Sequence, residues 1–213
     1  MKWQQFLNDI RQAPIVTLVG PLYGKPHTPY APTIYIDAGA HFRHPDGASN
    51  FAEVSVGDGD SADIPLDETL PKDKDYSDLA FVLRSLPKSV IHIDLLGFLG
   101  GNRDHELLNY GEMHHFLNGS HAFRSARFDD IVVAFAGGKL SMEVHGRFSI
   151  VVFEPAQVTL TGSCAFPLEQ LTTVLPVSSK GLGNTFWSKA CRVSQGRIAW
   201  IVSQLSSIIS CGF

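Results

Sequence analysis

Val90-Ile91-His92-Ile93-Asp94-Leu95-Leu96-Gly97-Phe98-Leu99-Gly100-Gly101-Asn102-Arg103-Asp104-His105 is the stretch whose reading decides the fold. Val90 to Leu96 is a short, largely aliphatic run of the kind that forms a buried strand. Glycines at 97, 100 and 101 close it, and a helical pattern follows from about Asp104 to Leu117, with Leu107, Leu108 and Phe116 as its expected core residues. A strand passing through glycines into a helix is half of a βα unit. Such units build parallel sheets, and ligands collect at the carboxyl ends of the strands.

The flanking sequence repeats this grammar. Ile15 to Val19, Thr33 to Ile36 and Glu53 to Val56 read as strands, and the proline-rich stretch from Leu22 to Pro32 reads as a loop. The second strand delivers Asp37-Ala38-Gly39-Ala40 at its end, and the third delivers Gly57-Asp58-Gly59-Asp60-Ser61. Ser77 is a suitable N-cap for a helix from Asp78 to Leu86, whose apolar stripe is Leu79, Val82, Leu83 and Leu86. Trp3, Phe6, Leu7 and Ile10 are spaced for a short amphipathic helix.

After about Arg127 the pattern changes. Ile131–Ala136, Leu140–Val144, Phe148–Phe153, Val158–Thr161, Lys189–Val193 and Arg197–Val202 are short β-prone runs separated by turn residues. The expected fold class is therefore an N-terminal, mostly parallel α/β sheet domain over residues 1–130, followed by a C-terminal antiparallel β-sandwich over 131–213. The change of character falls between 127 and 139.

Composition narrows the function. The chain has 213 residues, 44% of them hydrophobic and 18% charged, an ordinary globular balance. A formal charge of −4 and a pI near 6.1 lack the basic excess that binding a nucleic-acid backbone requires. Cys164, Cys191 and Cys211 are widely spaced and form no CxxC, so a reducing compartment is expected. No apolar run approaches the roughly 20 residues that span a bilayer, and Asp9 with its neighbouring glutamines interrupts any signal-like core. The expected setting is cytoplasmic, with no membrane and no nucleic-acid partner.

Three polar clusters carry the chemistry: Gly57-Asp58-Gly59-Asp60-Ser61, Lys74-Asp75-Tyr76-Ser77-Asp78 and Gly100-Gly101-Asn102-Arg103-Asp104-His105. Asp58 and Asp60, flanking a glycine, can converge on one hard cation such as magnesium, though the same composition makes an ordinary surface turn. Asp78 can support a metal or simply favour a helix N-terminus, and Lys74 can bind a phosphoryl oxygen or be a surface charge. The third cluster is more specific. Glycines admit a phosphate close to the backbone, a helix N-terminus follows, and Arg103, Asp104 and His105 accompany them. His41 with His44, and His114 with His115, lack a complete metal-ligand set.

Together the clusters resemble the thiamine pyrophosphokinase family, which carries G-D-x-D-S, then K-D-x-[TS]-D, then G-G-x-x-D-H with an asparagine four residues on, here Asn109. Asp37-Ala38-Gly39-Ala40 resembles the family's upstream D-G-G-A. Phe166-Pro167-Leu168 and Gly183-Asn184 resemble its later aromatic-Pro-Leu and S-N elements. The likeness runs from about residue 15 to 202. This chain departs from the family pattern at Gly59, Ala80, Phe81, Asn102 and Gly183.

The resemblance implies transfer of an intact pyrophosphoryl group from ATP to the hydroxyl of thiamine, giving thiamine diphosphate and AMP. It implies magnesium as cofactor and a homodimer with active sites at the interface. It assigns Asp58, Asp60, Asp78 and Asp104 to catalysis, the first three also to the metal. Asp37, Lys74, Gly100, Gly101, Arg103 and His105 fall to ATP, and Asn184 and Trp200 to thiamine; Trp200 reads equally well as a core residue of an alternating strand. A pyrophosphokinase acting on a pterin-like alcohol, and a non-catalytic thiamine or nucleotide binder, are the alternatives.

Overall fold

The computed structural model describes residues 2–44, 49–119, 123–129, 131–136, 138–144, 147–180, 182–195, 199–203 and 209–212. The chain divides into two compact units, residues 1–116 and 117–213. That division lies ahead of the 127–139 interval suggested by the sequence, because the strand Arg124–Phe128 pairs within the second unit. Among the described residues, no helix is long and apolar enough to cross a membrane.

The first unit runs α1 (Lys2–Asp9), β1 (Ile15–Val19), β2 (Thr33–Ile36), a 3₁₀ turn (Asp37–Phe42), β3 (Glu53–Gly57), β4 (Glu68–Thr69), α2 (Asp78–Ser85), β5 (His92–Leu96) and α3 (Arg103–Asn118), the last turn of α3 belonging to the second unit. All five strands are parallel, in the order β5-β1-β2-β3-β4. Alternation along each strand gives the sheet two unlike faces. Val16, Leu18, Ile34, Ile36, Val54, Val56, Ile93 and Leu95 form a buried aliphatic face.

The other face is buried but polar. Asp94, Thr17, Thr33 and Glu53 occupy one register row across β5, β1, β2 and β3. Burying a carboxylate requires partners, and each has them. Tyr30 donates to Asp94 at 2.8 Å and His92 lies 3.2 Å from it, while Tyr35 donates to Glu53 at 2.8 Å. Burial, reinforced by Glu53, pushes the Tyr35 phenol well above its usual range. Arg43 adds an ion pair to Asp67 at 2.9 Å, which Lys2 of α1 also reaches at 2.6 Å.

The helices follow from local signals. In α2, Ser77 caps the amide of Ala80 at 3.1 Å, and Leu79, Ala80, Val82 and Leu83 are buried. The helix ends before Leu86, which turns extended because Pro87 follows. In α3 the buried residues are Met113, Phe116 and Leu117. Leu107 and Leu108, expected in the core, are instead 65% and 64% exposed, on the early turns of the helix.

The second unit is antiparallel: β6 (Arg124–Phe128), β7 (Val132–Ala136), β8 (Gly138–Val144), β9 (Arg147–Val151), β10 (Ala156–Cys164), β11 (Leu168–Val174), β12 (Asn184–Gln195), β13 (Ala199–Ser203) and β14 (Ile209–Gly212). One ladder runs β6-β7-β13-β9, and a second joins β14-β8-β12-β10-β11. β12 belongs to both, since Asn184 and Thr185 pair with β9 while the later residues pair with β8 and β10. Val133, Phe135, Phe148, Ile150, Val158, Leu160 and Val174 from these ladders share one apolar core. The fold class is thus a parallel α/β unit followed by an antiparallel β unit.

Candidate functional site

A cavity of about 660 Å³ opens at the carboxyl ends of the parallel strands, lined entirely by the first unit. Strand ends supply its floor: Asp37 follows β2, Asp58 and Asp60 follow β3, and Gly97 follows β5. The α2 and α3 regions supply the rest, Lys74, Tyr76 and Asp78 from around the start of α2 and Gly100, Gly101, His105 and Asn109 from the glycine loop and α3.

Asp37, Asp58 and Asp60 each offer a carboxylate oxygen, all within 4.8 Å of one another. Asp37 adopts φ +50°, a conformation that L side chains seldom take. Gly57 admits Asp37 at close range, because a Cβ at 57 would lie 2.9 Å from the Asp37 Cα. The Oδ1 of Asp37 is buried with no hydrogen-bond partner. Burial raises the pKa of this carboxyl, and the charges of Asp78, Asp60 and Asp58 raise it further against an opposing hydrogen bond from Ser61. An orphaned oxygen among converging carboxylates is the environment a hard cation relieves. The trio fits magnesium, and it differs from the expected ligand set in holding Asp37 where Asp78 was expected.

Asp78 is instead engaged by Lys74. The Lys74 side chain is only 6% exposed, and its ammonium lies 2.6 Å from Asp58 Oδ2 and 3.0 Å from Asp78 Oδ1. Its hydrogen bond to Asp58, against a desolvation cost, holds that carboxyl below the usual range. Burial alone would lower the Lys74 pKa, but the two carboxylates outweigh it and the net shift is upward. The lysine therefore neutralises in place part of the charge that the aspartates bring together.

The glycine loop has a different character. Gly100 and Gly101 both have positive φ, +86° and +70°, which ordinary side chains would resist. Asn109 donates to the Phe98 carbonyl at 3.0 Å and fastens the loop to α3. The Gly100 amide donates to Glu106 at 3.0 Å, so an anion already occupies a donor that a phosphate could take. Glu106 was not singled out by the sequence; its place one turn into α3 was the available signal. His105 lines the cavity, whereas Arg103 and Asp104 are exposed on the first turn of α3 and do not.

In the second unit, Asn184 is buried and its side chain is committed to backbone. It accepts from the Phe166 amide at 3.1 Å and donates to the Phe166 carbonyl at 2.7 Å. It thereby fixes the turn that leaves Phe166 63% exposed. The backbone of Trp200 pairs with Ala134 and Val151; its side chain lies outside the described residues.

The fold and site define an α/β unit with an acidic cavity at its strand ends, followed in sequence by an antiparallel β unit. Several solved structures that share this fold are thiamine pyrophosphokinases or proteins of that family. The Bacillus subtilis enzyme matches with a TM-score of 0.65 and 20% identity, over 90% of this chain and 100% of its own. A thiamin pyrophosphokinase family protein from Enterococcus faecalis gives 0.66 at 23% identity, over 89% and 98%. The Candida albicans thiamin pyrophosphokinase gives 0.62 at 10% identity, over 92% and 89%. No family model and no curated protein matches the chain.

Proposed function

We propose that this protein is a magnesium-dependent thiamine diphosphokinase, working as a cytoplasmic homodimer and transferring pyrophosphate from ATP to thiamine. The observation that carries the reading is the convergence of Asp37, Asp58 and Asp60 beside Lys74 and the glycine loop in one cavity at the strand ends. Its support in the fold is the likeness to solved thiamine pyrophosphokinases. Exposed apolar side chains, Leu107 and Leu108 in one unit and Phe166 and Val177 in the other, are consistent with self-association.

In this reading Asp37, Asp58 and Asp60 hold the cation. When bound, magnesium would spread the charge developing on the phosphoryl oxygens. Lys74 exchanges a carboxylate for a phosphoryl oxygen, Asp78 supports it from the far side, and the Gly100 and Gly101 amides at the start of α3 receive phosphate. Arg103 and His105 neutralise the remaining triphosphate charge. The thiamine hydroxyl oxygen attacks the β-phosphorus, and the bond from that phosphorus to the α–β bridging oxygen breaks. AMP leaves with the bridging oxygen, and the hydroxyl proton passes through water to Asp104, which is exposed on the first turn of α3 rather than part of the cavity lining. Asn184 acts on the thiamine side through the turn it shapes, with Trp200.

Incubating the purified protein with magnesium, ATP and thiamine tests this. AMP together with thiamine diphosphate is the expected pair of products. ADP with thiamine monophosphate refutes pyrophosphoryl transfer. Turnover only with a hydroxymethylated pterin reassigns the alcohol. Thermal stabilisation by thiamine without turnover leaves a binding protein.

A further inference from the structure

A line of aromatic side chains joins the N-terminal helix to the cavity. Phe6 and Trp3, both buried in α1, have ring centroids 6.0 Å apart at 12°. Trp3 lies 5.5 Å from Phe81 of α2, and Phe81 stacks at 6.3 Å and 17° with Tyr76, a residue of the cavity wall. Arg84 sits 5.8 Å from the Tyr76 ring centre. Tyr76 is thus a large aromatic at the mouth of α2 whose orientation is set by α2 and, through Phe81, by α1. Phe81, one of the departures from the family pattern, is the link that makes the connection possible.

We propose that Tyr76 contacts a planar heteroaromatic ring of the substrate, and that Trp3 and Phe81 are positioning residues holding it there. Resting on the reading above, this gives α1 a role in ligand affinity rather than in sheet burial alone. The nearby charged groups are committed to one another, Lys74 lying 2.6 Å from Asp58 and 3.0 Å from Asp78. Tyr76 supplies the polarisable surface that ring binding needs, already ordered before ligand arrives. Both substrates carry such a ring, and either source fits the chemistry.

The test is calorimetric binding of ATP, thiamine and inorganic tripolyphosphate, with magnesium, to the full chain and its variants. Tyr76→Ala is expected to weaken one ring-bearing ligand about tenfold, ~1.4 kcal/mol, and to leave tripolyphosphate unchanged. Loss confined to ATP identifies the nucleobase as the ring, and loss confined to thiamine identifies the alcohol. Phe81→Leu should produce a smaller loss, about threefold, for that same ligand. Trp3→Leu should do likewise and Trp3→Phe should rescue it, with melting temperatures reporting whether each variant is folded. Should Trp3→Leu not fold, the Phe81→Leu and Tyr76→Phe comparison decides, since Tyr76→Phe keeps the ring and should bind as the parent does. Equal weakening of all three ligands, tripolyphosphate included, would make the role structural and overturn the proposal. Unaltered binding in Tyr76→Ala would also overturn it. Failure of the unmodified protein to bind ATP and thiamine would instead remove the function itself.

Discussion

The junctions leading into α2 and α3 carry similar residues and are built in opposite ways. Before α2, opposite charges are already matched: Lys74 is buried between Asp58 and Asp78, and Ser77 caps the helix. Before α3, Arg103 and Asp104 are exposed, and the Gly100 amide is held by the carboxylate of Glu106. One junction has ordered its charges before any ligand binds. The other keeps charges in water, where they are cheap, and commits a backbone donor to an internal anion. Stability should therefore depend on the first junction and ligand affinity on both.

The largest effect is expected from Asp58→Asn, which removes a member of the carboxylate trio and the strongest partner of Lys74. Activity should fall by about a thousandfold, on the scale of losing one preorganised electrostatic group, while circular dichroism stays unchanged. Activity within tenfold of the parent would take Asp58 out of the mechanism.

Lys74→Met strikes the same junction through stability. It should cost about 3 kcal/mol, the low end for removing one partner of a buried pair, or about 6–12 °C in melting temperature. Added magnesium should recover part of this by supplying another cation. The pH dependence has a definite sign. The Asp58 pKa is lowered, so its share of the stabilisation is present above the unfolded carboxylate value near ~3.9 and disappears as pH falls. The Lys74 pKa is raised, so its share is present below the unfolded value near ~10.4 and is lost as pH climbs through the folded one. The gap in melting temperature between parent and Lys74→Met should plateau at neutral pH and narrow toward both extremes. A gap insensitive to pH would mean that the lysine acts through packing.

Arg103→Ala should do the reverse, leaving melting within about 0.5 kcal/mol, as exposed sites do, and raising the KM for ATP about tenfold. A large melting shift with unchanged KM would erase the contrast between the junctions. The smallest change is expected from Glu106→Ala. Freeing the Gly100 amide should tighten binding of tripolyphosphate by about threefold, roughly the net worth of one hydrogen bond. Weaker binding would show that Glu106 shapes the loop rather than competing for it.

Sequence and structure agree best where a local pattern and its tertiary use coincide. Ile15–Val19 and Thr33–Ile36 form the strands that their aliphatic and β-branched residues suggest, and Ser77 caps α2 as its position before Asp78 implies. Leu107 and Leu108 mislead because helical spacing cannot tell how far α3 extends beyond its buried contacts at Met113, Phe116 and Leu117. β6 was missed because Arg124 and Arg127 interrupt its apolar residues, and β11 because Leu168–Val174 is mostly polar. In the site, the order of motifs pointed to Asp58, Asp60, Lys74 and the paired glycines, which the fold brings to the lining of one cavity. That Asp37 joins the trio while Asp78 turns to Lys74 depends on a left-handed backbone at 37 and the missing Cβ at 57, neither of which is visible as a pattern in one dimension. Glu106 and Tyr76 escaped for the same reason: each works through a contact that no motif encodes.

β12 bonds at its start to β9 and farther along to both β8 and β10. Opening either ladder at that strand removes a neighbour from the other, so the second unit should have few partial excursions open to it. Its innermost amides would then exchange with solvent deuterium on a common slow timescale, set by collective rather than local opening.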